Sequence, residues 1–248
     1  MIHNKSMTNT TFEQQNIDST LYNVVANQDQ AIQKTFLIKT YSHILLAVCI
    51  FAATIFTVVS NRILLLAVLS IFRIPLATLV IMAVVVGASV SASWVAHNTK
   101  NTLFHYIALL GYAFIEGLLT VPIVYLFLAR GGAGVTALTN ASWLTVLIFA
   151  LLTAVVFVTK PSLGFLGKFL AFFGVSSFVL IILSAIFSFA LGTWFTVLMI
   201  FLACGYILYE TSEMTKIYNS SQYVASALTL FSSLVMLFWY ILRLFSRK

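Results

Sequence analysis

Acidic residues are almost missing from the middle of this chain. Of the 180 residues between Asp29 and Glu210, only Glu116 is acidic, and charged residues make up 8% of the 248 residues whereas hydrophobic ones make up 61%. A water-exposed surface needs many charges of both signs. The composition therefore excludes a water-soluble domain and predicts a polytopic membrane protein, in which the rare buried acids are the first candidates for function.

Cysteine and catalytic motifs are scarce as well. Cys49 and Cys204 both lie within apolar runs and no CxxC occurs, which argues against a disulfide framework or a metal site. The 13 basic residues outnumber the 6 acidic ones but are scattered singly, so nucleic acid is not an expected partner. No HExxH, Walker or Rossmann pattern is found. We therefore expect neither an enzyme nor a cofactor. We also expect no cleavable signal peptide, because a long polar stretch precedes the first apolar run near Phe36.

Apolar runs long enough to cross a hydrocarbon core of about 30 Å recur seven times. They lie near residues 37–59, 74–96, 103–128, 143–159, 168–190, 194–211 and 223–245. In lipid each run must satisfy its own backbone, and the runs lack the alternation of barrel strands, so we predict helices. The 63–72 segment is too short to span and is expected at the interface or as an extension of the second helix.

The polar stretch before the first span predicts two parts: a flexible tail over residues 1–34 and a seven-helix membrane domain over 35–248. Helix breaks are expected at Lys160-Pro161-Ser162 and at residues 130–134, and Pro122 predicts a kink. With the N-terminus inside, seven lysines oppose five arginines and Lys248, so the positive-inside rule does not decide the orientation. No internal repeat is visible, which weakens an inverted-repeat transporter.

Small and hydroxylated residues form stripes on three of the predicted helices. The stripes are Ala83/Gly87/Ser91, Ser177/Ser184/Ser188 and Ser226/Thr229/Ser233. Such stripes usually mark helix packing, and a wet seam through the bundle is the alternative. Both interpretations turn the stripe of the last helix inward.

The acids point to chemistry more directly. Glu116 lies midway along the third span, where it must be protonated or face polar partners. Glu210 and Glu213 lie three residues apart at the end of the sixth span, on roughly one face. For Glu213 we expect a solvated helix end, and for Glu210 partial burial.

Metal binding and histidine chemistry have little support. Calcium prefers six to eight oxygen ligands, so two carboxylates and nearby serine hydroxyls would bind it weakly at most. His97 and His105 flank a short polar connection and are expected to be solvated, with a pH-responsive role as the alternative.

The last forty residues carry a family resemblance. The sixth span ends in Gly205-Tyr-Ile-Leu-Tyr-Glu-Thr-Ser-Glu213, and the seventh reads Tyr223-Val-Ala-Ser-Ala-Leu-Thr-Leu-Phe-Ser-Ser-Leu-Val-Met-Leu-Phe-Trp-Tyr-Ile-Leu-Arg243. These stretches resemble the C-terminal helix pair of the Bax inhibitor-1 family. Residues 36–41, 116–118 and 165–167 agree with it too, and the resemblance covers about 36–245.

The resemblance implies six helices around a central seventh, stress protection, and pH-sensitive calcium leakage. In such proteins one acid on each of the last two helices is thought to sense protons. Glu210 matches the first acid, but Ser233 stands where the second is expected and Met236 replaces an asparagine, so the like-charge mechanism is lost here. This pattern is similar to the bacterial YccA-type branch, associated with the membrane AAA protease FtsH as partner and slowly degraded substrate.

Two functional hypotheses follow. The first is a multi-pass inner-membrane protein, its N-terminus cytoplasmic, that binds and moderates an FtsH-type protease through its polar tail. The alternative is a pH-sensitive calcium or cation leak along helices five to seven, with Glu210 as the proton sensor and Ser233, Glu213 and Glu116 as further candidate residues. A secondary transporter is third, supported only by Glu116 and Pro122.

Overall fold

The computed structural model describes residues 24–73, 102–187 and 189–246. Within these ranges the chain forms one short 3-10 helix, Val25–Asn27, and seven α-helices. The α-helices are α1 Gln30–Ser60, α2 Arg62–Phe72, α3 Thr102–Leu128, α4 Gly132–Thr159, α5 Leu166–Phe187, α6 Thr193–Ile217 and α7 Tyr223–Phe245. All except α2 are long and apolar enough to cross a membrane. The second predicted span, 74–96, lies outside the described residues, as do its small-residue stripe, His97, Ser188 and residues 1–23.

The outer surface of the bundle is apolar. Trp194 is 87% exposed, Val158 83% and Phe56 74%. Large apolar side chains in such numbers are stable on a surface that lipid covers, whereas in water they would form an aggregating patch. The structure is therefore that of a multi-pass membrane protein, which confirms the prediction of an all-helical membrane protein.

Helices α1 and α3 run in the same direction. Near their starts, His43 Nε2 lies 2.9 Å from the Tyr106 hydroxyl. About three turns further along both helices, Gly117 lies against Thr54, so closely that an added Cβ would be 2.8 Å from the Thr54 Cβ. We call the end of the bundle where α1 and α3 start the proximal end, and the opposite end the distal end.

Helix α7 is buried along its whole length, from Val224 to Leu242. It packs against α1, α3, α4 and α6. Phe231 of α7 makes edge contacts with Phe51 of α1 and Tyr112 of α3, both at centroid distances of 6.2 Å. Ser226 and Ser233 are 0% and 4% exposed, which confirms that the hydroxyl stripe of this helix faces inward.

The N-terminal end of the described chain is attached to the α6–α7 connection. The Val25 N–H donates to the Tyr218 carbonyl over 3.1 Å, Val24 forms a bridge with Asn219, and the Val25 side chain is fully buried. Helix α1 then begins at Gln30, inside the predicted tail of residues 1–34. The flexibility of that tail stays a prediction.

Two predicted spans were too short. Helix α4 begins at Gly132 and not near residue 143, because Gly131 adopts a φ of +69° and Gly134 packs directly on the Phe127 carbonyl, where any Cβ would clash. Polar side chains such as Asn140 interrupt the apolar pattern without ending the helix. Helix α6 likewise continues past residue 211 to Ile217.

The predicted breaks are confirmed at both positions. Lys160 ends α4 in the left-handed conformation, with a φ of 46°, and Pro161 follows it. Helix α3 ends at Leu128, although it continues through Pro122. The 62–72 segment is a separate helix, since the Asn61 side chain caps it by accepting from the backbone N–H groups of Ile63 and Leu64. None of its residues is buried.

Candidate functional site

The structure brings Glu210 and Ser233 together across the α6–α7 contact. The Ser233 hydroxyl donates to Oε2 of Glu210 over 2.7 Å. The two helices are antiparallel and joined by only five residues, 218–222, so the last turns of α6 lie beside the first turns of α7. Glu210 is partly buried, as expected. The pair occupies the position at which the resemblance implies two acids.

A serine–carboxyl contact tolerates both charge states of the carboxyl. A hydroxyl donates to a carboxylate and accepts from a protonated carboxylic acid. Two carboxyls at the same place would instead repel each other once both ionise. The Glu210–Ser233 contact is therefore expected to hold α6 and α7 together irrespective of the protonation of Glu210.

Tyrosines surround this carboxyl. Tyr206, one turn before Glu210, donates its hydroxyl hydrogen to the Leu170 carbonyl of α5 over 2.8 Å. Tyr218, just beyond the end of α6, is 6% exposed, and burial raises its pKa to about 12, with the nearby charge of Glu210 adding to the rise. The Tyr218 hydroxyl therefore stays protonated and interacts with Thr229. Glu210 thus lies close to two tyrosines, one of which, Tyr206, also bonds α5.

Glu213 has different partners from Glu210. It accepts from the Lys216 ammonium group over 2.8 Å, and its side chain is only 12% exposed. Its carboxyl also lies beside Gly164, in the connection between α4 and α5. The expectation of a solvated helix end was therefore wrong. The reason is that α6 extends to Ile217, so Glu213 lies inside the helix and against the α4–α5 connection.

Glu116 lies inside the bundle, on α3. It is 5% exposed and interacts with the Tyr112 hydroxyl one turn earlier. One turn later, the Thr120 hydroxyl donates to the Glu116 backbone carbonyl over 2.7 Å and accepts from Trp239 Nε1 of α7, also over 2.7 Å. The Tyr112 contact agrees with one of the two alternatives for Glu116, a polar partner, and its protonation stays a prediction. This polar group connects α3 with α7, separately from the Glu210–Ser233 pair.

His105 does not lie in a solvated connection. It belongs to the first turn of α3 and is 3% exposed. The expectation of a solvated histidine was wrong because α3 begins at Thr102, so His105 lies inside the helix and not in the connection before it.

The acids do not gather into a metal centre in the part of the chain that the structure describes. No three His, Cys, Asp or Glu side chains come together there. Glu210 and Ser233 supply few of the six to eight oxygens that calcium prefers. Weak calcium binding stays a prediction.

Three buried hydroxyls were not singled out from the sequence. Tyr41 of α1, Thr153 of α4 and Thr211 of α6 meet inside the bundle. Their hydroxyl oxygens are buried, and none of them makes a hydrogen bond of acceptable geometry with a described residue. The three lie on separate helices and are far apart in sequence. Tyr41 and Thr211 lie within the 36–41 and 205–213 stretches that carry the resemblance, and these positions hinted at their importance.

The sequence comparison agrees with the C-terminal motifs. A family model described as "Inhibitor of apoptosis-promoting Bax1" matches residues 33–248, which is 216 of the 248 residues. The matched region contains all six membrane-spanning helices of the described structure except the first three residues of α1, and also Glu116, Glu210 and Ser233. No curated protein matches the chain significantly.

Proposed function

We propose, since the chain belongs to the Bax inhibitor-1 family, that it is a non-enzymatic protein of a bacterial inner membrane that binds and moderates an FtsH-type AAA protease. The YccA-type pattern of Glu210-Thr211-Ser212 followed by Ser233 supports the branch. The N-terminus is cytoplasmic in this proposal, and six helices surround α7. The packing of α7 on α1, α3, α4 and α6 supports that arrangement.

The attachment of the N-terminal segment carries the proposal. Val25 is buried among residues of the proximal core, and its N–H bonds the Tyr218 carbonyl. A protease that pulls on the residues before Val24 meets this contact first, before any membrane helix is loaded. The contact therefore allows the protease to hold the tail while the bundle resists extraction, which is the behaviour of a slowly degraded partner.

The Glu210–Ser233 contact gives independent support. Because serine bonds either charge state of a carboxyl, the α6–α7 hairpin on which Val25 rests does not depend on the protonation of Glu210. A Val25 contact that does not change with pH is what a protease partner needs. A proton-driven switch would instead need the second acid that Ser233 replaces.

The test is a pair of variants that separate the tail from its anchor. Deletion of residues 2–20 keeps the Val25 contact but removes the segment to be gripped, so we expect a longer half-life in protease-positive cells. Val25→Asp keeps the tail but places a charge in the core, so we expect a shorter half-life. Both are measured by pulse-chase, together with co-purification of the protease.

Protease-deficient cells and the combined variant are the controls. Without the protease, the deletion and Val25→Asp should have the half-life of the wild type. The variant that combines the deletion with Val25→Asp should be long-lived, because the protease has no tail to grip even though the Val25 contact is lost. If the deletion leaves half-life unchanged and no protease co-purifies, the proposal is wrong. If the combined variant is degraded as fast as Val25→Asp alone, the substitution acts by unfolding the protein and not by loosening the tail, which contradicts the role of the Val25 contact.

A cation leak is the second candidate, favoured by the position of Glu210. This carboxyl bonds Ser233 of α7 and lies close to Tyr206, whose hydroxyl bonds α5, and a polar path beside α7 would pass here. In liposomes the purified protein should then admit calcium with a dependence on pH. Glu210→Gln should abolish the dependence, and Ser233→Asp should sharpen it by restoring a pair of carboxyls that repel when both ionise.

Glu213→Gln is the matched control for the leak, because it neutralises a carboxyl paired with Lys216 and not with Ser233. It should leave the pH dependence unchanged. An absent flux, or a flux indifferent to both Glu210→Gln and Ser233→Asp, removes this candidate.

A further inference from the structure

Three hydroxyls from three helices converge at the proximal side of the bundle. The Tyr41 hydroxyl of α1 lies within interaction range of both Thr153 of α4 and Thr211 of α6. Thr153 is 9% exposed and Thr211 3% exposed. Even so, none of the three oxygens makes a hydrogen bond of acceptable geometry with a described residue.

Other buried threonines in the same bundle behave differently. Thr54 and Thr145 each donate over 2.8 Å to a carbonyl of their own helix, four residues earlier. This local bond is the usual way to satisfy a threonine hydroxyl inside a helix. Thr153 and Thr211 do not make it, so their hydroxyls remain available to a partner at the point where they meet Tyr41.

The Tyr41 ring is fixed in this position by packing. It makes edge or tilted contacts with Phe149 at 6.4 Å and Phe157 at 5.9 Å, both on α4. The Tyr41 side chain of α1 therefore extends to the surface of α4. The convergence of the hydroxyls is therefore a consequence of how the core is built.

We propose that Tyr41, Thr153 and Thr211 together bind a water molecule inside the membrane domain. A buried water typically makes about three hydrogen bonds to polar groups that otherwise lack partners. Water has two donors and two acceptors, and each hydroxyl can donate or accept, so the three groups satisfy it in several arrangements. The site connects α1, α4 and α6. Its α6 member, Thr211, directly follows Glu210 in the sequence.

The chemistry of the site favours a neutral ligand. The three hydroxyls carry no charge, and no group of three His, Cys, Asp or Glu side chains lies at this or any other place in residues 24–73, 102–187 and 189–246. A cation there would be buried without a compensating anion, which is strongly unfavourable. Water requires no such compensation.

The test removes each hydroxyl while keeping the shape of the side chain. Three single variants do this: Tyr41→Phe, Thr153→Val and Thr211→Val. Each should lower the melting temperature of the detergent-purified protein by about 2–4 °C, because the water then loses one of its three hydrogen bonds to the protein. The triple variant should lose much less than the sum of the three losses, since no buried hydroxyl then needs a partner. Thr145→Val, whose hydroxyl bonds its own helix, should lose no more than a single member of the set.

A high-resolution structure of the wild-type protein supplies the direct readout. Density within hydrogen-bond distance of all three oxygens supports the site. Additive losses in the triple variant, or single variants without any loss, overturn it. So does a structure in which the three hydroxyls bond directly to one another and no density lies between them.

Discussion

Gly174 of α5 leaves room for the hydroxyl of Tyr206 on α6. A Cβ added to Gly174 would lie 2.5 Å from the Tyr206 oxygen, closer than any real contact of this kind. The Tyr206 hydroxyl donates its hydrogen to the Leu170 carbonyl, one turn earlier on α5. The glycine thus permits a side-chain-to-backbone bond between two helices within lipid, where such bonds have no competition from bulk water.

Gly174→Ala should destabilise the protein, although alanine is the better helix former. The added methyl group displaces the Tyr206 hydroxyl and breaks its bond to Leu170, at a cost of about 1–3 kcal/mol. Gly111→Ala is the matched control, because no atom lies within 4 Å of the Cβ position at this helical glycine. It should be neutral or stabilising, by up to about 1 kcal/mol. Thermal unfolding in detergent compares the two, and equal effects would contradict the packing.

Trp239→Phe should weaken the contact between α7 and α3. The substitution keeps an aromatic ring but removes the donor that bonds Thr120 over 2.7 Å. We expect a loss of about 1 kcal/mol in the free energy of unfolding. Thr120→Val removes the other partner, and the double variant should lose less than the sum of the two single losses. Strictly additive losses would show that the bond does not couple the helices.

Tyr218 predicts a loss of stability at alkaline pH. Its pKa rises from 10.0 to about 12 on folding, chiefly through burial. Below pH 10 Tyr218 is neutral in both the folded and the unfolded state, so its contribution to the free energy of unfolding is fully present. Between about pH 10 and 12 the unfolded chain releases the proton and the folded chain keeps it, so stability falls by up to about 2–3 kcal/mol as pH rises. Melting temperatures at pH 9 and pH 11 measure this fall.

Tyr218→Phe should make that fall smaller, because phenylalanine has no proton to release. Tyr125→Phe, which alters a tyrosine that is 38% exposed, serves as the control and should leave the fall in place. Identical pH profiles for wild type and Tyr218→Phe would rule out the contribution.

Arg130→Ala should loosen the last turn of α7. Both terminal nitrogens of the Arg130 guanidinium donate to the Ser246 carbonyl over 3.2 Å, and the guanidinium lies 5.3 Å from the centre of the Phe127 ring. The residue is exposed, so we expect a loss of about 1 kcal/mol. Faster amide hydrogen exchange over residues 242–246 is the readout. Arg130→Lys keeps the charge but not the two-pronged bond, so its effect should be intermediate.

The membrane-spanning helices could be predicted from the sequence because long apolar runs are a strong signal. Their ends could not. Helix α4 continues through Asn140 and starts at Gly132, because Gly131 and Gly134 permit a close turn onto Phe127 that hydropathy does not register. Helix α6 continues through Glu213, because that carboxyl has Lys216 as a partner.

The candidate site was predictable only where the chain itself brings residues together. Glu210 and Ser233 are joined by a short hairpin, so their proximity follows from two antiparallel helices. The hydroxyls of Tyr41, Thr153 and Thr211 come from separate helices, and the sequence carries no information about which polar side chains of separate helices meet. Their convergence depends on the packing of the whole bundle, here through Phe149 and Phe157.

The shared direction of α1, α3 and α7 determines where attached reporters will reside. Val24 lies with Asn219 at the proximal end, whereas Ser246 lies with Arg130 at the distal end. A phosphatase fused beyond Ser246 and a fluorescent protein fused ahead of Val24 therefore occupy different compartments. The phosphatase needs an oxidising space and the fluorescent protein needs the reducing cytoplasm. Both fusions are therefore active if the proximal end is cytoplasmic, and neither is active if it is not, which assigns the sidedness that lysines and arginines leave undecided.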